Sequence, residues 1–243
     1  MNAWRDALKL MRAHIVAIVW VGALLLSALG VLWLQIPDSH VWQFAFSILM
    51  AFVLVAAFLS LCTWIGRQLL QSAQRGSLWL AGLLIAAVIV IWWLLQFPID
   101  ALAERSPLYS GYWTSKLPHS LRGVHTYEHL LILQEWLCSA LRLIAAGLLL
   151  PVALLAGASR LSESVRPLLH LWSRWWYWLT VFVCGWATST VTAKLVDWTP
   201  GKSLSGEIAS LILRLGIVFT LDVLLVYFVF AVTAVGLRRK LTA

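Results

Sequence analysis

Six stretches of this chain run for about twenty residues or more with hardly a charged side chain, at roughly 14–35, 43–65, 79–97, 131–157, 176–196 and 207–236. Twenty helical residues cover about 30 Å, the thickness of the hydrocarbon core of a bilayer. In lipid every backbone N–H and C=O must find its partner within the protein, which leaves helices or closed barrels. The runs are continuous and do not alternate, so a barrel is excluded. The expectation is an all-α polytopic membrane bundle of six transmembrane helices, forming a single transmembrane domain over 1–243. Composition agrees: 62% of residues are apolar and 12% charged, whereas a soluble domain is nearer a half and a quarter.

Lysine and arginine set the expected orientation, because cytoplasmic loops carry the excess. One side holds Arg5, Lys9, Arg12, Arg67, Arg75, Arg160, Arg166, Arg174 and the Arg238-Arg239-Lys240 run. The other holds Arg105, Lys116, Arg122, Lys194 and Lys202. An even number of spans then places both termini in the cytoplasm of a bacterial inner membrane. The net charge of +8 sits in short flanks of apolar runs rather than on a basic stripe. It therefore implies anionic lipid headgroups as partner and no nucleic acid.

Residues 1–13 read as an amphipathic lead-in, with Trp4, Leu8, Met11 and Ile15 on one helical face and Arg5, Lys9 and Arg12 on another. The run that follows is long for a signal h-region and lacks a small-x-small cleavage site, so it is expected to stay in place. Tryptophan occurs 16 times, much of it near the ends of the runs, as an interfacial belt requires. Cys62, Cys138 and Cys184 fall inside apolar runs without CxxC spacing and read as small buried hydrophobes.

The runs carry an internal pattern. Odd spans close on Pro37, Pro98 or Pro200, and even spans open on Gln43, Glu135 or Glu207. A serine follows within four residues (Ser47, Ser139, Ser210), and seven residues after the opening come Met50, Arg142 or Arg214. The chain thus reads as three helical hairpins in series: 14–65, then 79–157 with an outer insertion at 101–130, then 176–236.

Two clusters offer chemistry. The first is the set Glu135, Arg142, Glu207, Arg214 and Asp222, ionisable groups in apolar helices. An acid at an outer helix N-terminus is favoured by the helix dipole, and an arginine seven residues on lies about 10 Å deeper on the same face. Such groups either bridge helices or line a polar path; the bridge is the better supported, since a path needs more polar lining. Thr188, Ser189, Thr190 and Thr192 keep the path open. The second cluster is His119 with His125, Glu128 and His129, whose HTYEH string fits the H-x-x-E-H zinc pattern. His125 and His129 share a helical face, as two metal ligands require, but the large soluble scaffold of such proteases is absent. The 199–203 stretch lacks phosphate-loop spacing, and no two mid-span histidines lie on different helices to hold a haem. The loop at 159–174 reads as a basic, lipid-facing connector.

Small size, little extramembrane mass and no catalytic set point first to an accessory or assembly subunit or scaffold, with other membrane subunits or a second copy as partner. A small transporter or channel for an anionic solute or lipid through the Glu/Arg pairs is the alternative. A membrane enzyme with an outer-face His/Glu metal site is the third reading.

Overall fold

The computed structural model describes residues 3–35, 40–71, 77–119, 122, 124–158, 165–196 and 204–241. Among them the chain is all-α, with no strand. The helices are α1 (Ala3–Leu10), α2 (Ala13–Leu34), α3 (Val41–Leu70), α4 (Leu78–Glu104), α5 (Ser106–Lys116), α6 (Val124–Gly157), α7 (Val165–Trp172), α8 (Trp175–Val196) and α9 (Leu204–Leu241). Five of these, α2, α3, α4, α6 and α9, are long and apolar enough to cross a membrane. The chain is a multi-pass helical membrane protein. The sixth expected span coincides with α8, which has 22 residues but does not join the five. Its second half holds the polar residues Thr188, Ser189, Thr190, Thr192 and Lys194.

The long helices outrun a bilayer. At about 1.5 Å per residue, the 30 residues of α3, 34 of α6 and 38 of α9 exceed the roughly 30 Å core by about three to five turns. Pro98 does not end the third span as expected, because α4 runs through it to Glu104. Membrane helices tolerate such a proline where neighbouring helices, polar side chains or a local adjustment of the helix satisfy the backbone groups it frees. The 101–130 insertion is largely helical, divided among the end of α4, α5 and the first turns of α6. The 159–174 connector is corrected as well: α7 occupies its second half, with Leu168 and Leu171 buried. Pro37, Pro200, Lys202 and Ser203 lie outside the described residues.

The chain divides into two compact units, residues 1–86 with 150–243, and residues 87–149; the boundaries fall inside α4 and α6. In the first unit α9 is the hub, touching α1, α2, α3, α7 and α8. Buried side chains concentrate toward one end of these helices: Ile65, Leu69 and Leu70 on α3, Leu154 and Leu155 on α6, Tyr177 and Val181 on α8, and Ala231 to Leu237 on α9. Close backbone approach builds this end. A Cβ on Gly66 would meet the Leu154 carbonyl oxygen at 3.2 Å, and one on Gly157 would meet the Cys62 carbonyl oxygen at 3.5 Å. Gly236 leaves room for Leu171 of α7.

The lead-in helix α1 is amphipathic, as expected, but the face it buries differs. Ala3 and Ala7 are buried, whereas Leu8 is 60% exposed. Small residues one turn apart let α1 lie close on α9, and Trp4 Nε1 donates to Thr180 Oγ1 at 2.9 Å. Other tryptophans also tie helices together: Trp20 Nε1 donates to Thr220 Oγ1 (3.2 Å), and Trp33 Nε1 to Ser47 O (2.9 Å). Trp42, Trp79 and Trp175 are exposed, as belt residues are. Beyond the buried end, large apolar side chains such as Phe44, Phe52, Leu211 and Ile212 point outward.

Candidate functional site

Span openings are the first structural question. At α3 the Gln43 side chain accepts from the His40 N–H at 3.0 Å, so this polar residue satisfies an orphan donor of the first turn. Glu207 lies in the first turn of α9, where the dipole favours an acid. Glu135 does not repeat that arrangement. α6 begins at Val124, so Glu135 lies about three turns inside the helix, beyond the reach of the N-terminal dipole. The run of apolar residues begins near 131, but the helix begins earlier on polar residues that no hydropathy pattern marks.

In the second unit Arg142 finds its acid on α4. Arg142 Nη2 donates to Asp100 Oδ1 at 2.7 Å, with the side chains 43% and 54% exposed. The acid seven residues upstream is not its partner. Asp100 was legible only as part of the proline lead-out of span three; its role needed the pairing of α4 with α6. One and two turns before Arg142 on the same face stand Cys138 and Gln134. Ser110 Oγ of α5 donates to Gln134 Oε1 at 3.1 Å. Gln134 and Cys138 line a cavity of about 230 Å³ together with Leu102, Tyr109, Trp113 and Leu137.

In the first unit Arg214 is buried, at 9% exposure. Its Nη1 donates to the Leu195 carbonyl at 3.1 Å and its Nε to the Ser210 carbonyl at 3.2 Å. Leu195 is the penultimate residue of α8, whose last carbonyls lack intrahelical donors. A guanidinium there satisfies one carbonyl and complements the negative end of the helix. Eight residues further along α9, the Asp222 carboxylate faces the hydroxyls of Thr188 and Thr192 on α8. The α8–α9 contact is thus a polar seam holding an arginine, an aspartate and two threonines.

The histidine cluster is less gathered. His119, Glu128 and His129 are exposed, and the His125 side chain lies outside the described residues. No group of three His, Cys, Asp or Glu that would hold a metal occurs among the described residues. Cys138 and Cys184 are buried. No protein-family model, no curated protein and no solved structure matches the chain.

Proposed function

We propose that this is a six-span protein of a bacterial cytoplasmic membrane, with both termini inside. In this reading it works without catalysis, as an accessory or assembly subunit of a larger membrane complex. The lysine and arginine asymmetry supports the orientation. Packing of α8 along α9 supports its place as the sixth span: at 22 residues it is as long as α2 and lies against a helix long and apolar enough to cross the membrane.

The Asp100–Arg142 pair carries the association reading. Counting about 20 residues back from the end of α6 at Gly157 puts the outer edge of the hydrocarbon near residue 138. Arg142 lies inside that edge with much of its surface open. Ionisable groups at membrane depth face protein or water rather than acyl chains, so a partner covers this face. The flanking apolar residues Leu133 and Trp136 are exposed as well. Photoreactive side chains placed at Leu133 and Trp136 test this in the native membrane. A crosslink to one membrane protein of defined mass, or to a second copy, supports the reading; crosslinks to lipid alone overturn it.

A second reading, a small transporter or channel, draws on the α8–α9 seam. Thr188 and Thr192 provide polar lining beside Asp222, a member of the Glu135, Arg142, Glu207, Arg214 and Asp222 set from which a route for an anionic solute is inferred. Loss of solute flux in Arg142→Leu or Arg214→Leu, with folding intact, would favour it.

A further inference from the structure

The Asp100–Arg142 pair is incomplete within one chain. One guanidinium nitrogen meets one carboxylate oxygen at 2.7 Å, and neither side chain makes another polar contact among the described residues. The rest of the guanidinium fork and the second carboxylate oxygen can still donate and accept. Both side chains are open to the outside, on α4 and α6 of the second unit.

The pair sits within a strip of defined shape. Residues three, four and seven apart share a helix face. On α4 the face of Asp100 continues through Phe97 and Trp93, both exposed, with ring centroids 4.7 Å apart. On α6 the face of Arg142 continues through Ser139, which is exposed, and Ala146, which is partly so. One helix therefore presents two bulky rings, and the other presents small residues on either side of its arginine. Small residues let membrane helices approach closely, and packing rather than hydrophobicity drives their association.

The charges select the occupant. A hydrogen-bonded acid and base lie at one depth in the membrane. A second copy inserted in the same way carries its own acid and base at that depth. In a two-fold interface residue i meets j while j meets i, so an axis along the membrane normal brings each acid to the other copy's base. A lone acid or a lone base would repel its own copy, whereas one of each attracts it. Glu104 and Glu135 share the two strips. Both stand on the α5 side of the pair, at or beyond the hydrocarbon edge placed near residue 138, where water and salt screen them.

We propose that the face around Asp100 and Arg142 is a homodimer interface, in which Arg142 of each copy reaches Asp100 of the other. The proposal rests on the association reading and names its partner as a second copy of this chain. Four groups of alternating sign then close into a ring that answers donors and acceptors left open in the single chain.

Co-expression of two full-length chains with different affinity tags, followed by gentle solubilisation, tests this. Wild-type copies are expected to co-purify. Arg142→Asp sets acids against acids across the axis, and Asp100→Arg sets bases against bases. Each variant expressed with itself should lose co-purification by about tenfold or more, because facing like charges are costly. An Arg142→Asp chain mixed with an Asp100→Arg chain sets acids against bases, and co-purification should return. A pair confined to one chain cannot give this rescue, since neither variant regains an internal pair. Wild-type copies that do not co-purify, self-association indifferent to both reversals, or no rescue in the mixture overturns the proposal. Should the reversed chains fail to accumulate singly and together, Asp100→Asn and Arg142→Gln decide: wild-type self-association in both refutes the interface. The crosslinks from Leu133 and Trp136 judge the association reading separately. A crosslink to a different membrane protein, with copies that do not co-purify, removes the dimer and leaves that reading standing; crosslinks to lipid alone remove both.

Discussion

Arg142 and Arg214 each follow an acid by seven residues, yet their guanidiniums meet different chemistry. Arg214 is buried and caps the end of α8. Replacing it with Leu strands the Leu195 carbonyl at a helix end, and an unsatisfied buried acceptor costs about 1–3 kcal/mol. We expect Arg214→Leu to lower the melting temperature in detergent and Arg214→Lys to recover part of the loss, since a lysine still donates but at one point. Arg142 and Asp100 are largely open to solvent in the single chain, so their coupling in a double-mutant cycle in detergent is under about 1 kcal/mol. Coupling well above that would place the pair in a buried setting. That both arginines need polar partners was legible from their depth in apolar runs. Their partners were not, because a carbonyl of α8 and an acid on α4 leave no trace in local spacing.

Elements were legible where lipid dictates them and obscure where it does not. The cores of α2, α3, α4, α6 and α9 follow directly from the apolar runs. The first two turns of α6, all of α5 and α7, and the continuation of α4 past Pro98 were missed, because these segments are short, polar or interrupted by proline. Glycine contacts make a sharp test at this scale. At Gly236 an added Cβ meets Leu171, itself fully buried, so Gly236→Val overpacks α7 against α9 by about 1–3 kcal/mol. At Gly30 nothing lies within 4 Å, and Gly30→Ala raises stability by up to about 1 kcal/mol through helix propensity. Thermal unfolding of the two variants in one detergent should move in opposite directions. At the end of α3, Gln71 adopts left-handed angles (φ 47°, ψ 42°), where glycine avoids a strain of about 1 kcal/mol. Gln71→Gly is therefore expected to stabilise the chain by a similar amount in the same assay.

For the molecule as a whole, the all-α membrane class was legible from the continuous runs and the low charge. The division into two compact units was not, because its boundaries fall within uninterrupted helices. The first unit concentrates its buried side chains at one end and leaves long apolar faces elsewhere, the second leaves an ion pair half open, and both features suit a chain completed by others in the membrane. Native mass spectrometry of the protein extracted gently from its own membrane is the most direct test of that claim. The account predicts a complex of fixed stoichiometry with another membrane protein or a second copy, and its dissociation in an Asp100→Leu/Arg142→Leu variant that still folds. A wild-type chain that flies alone, or a complex indifferent to that variant, would contradict it.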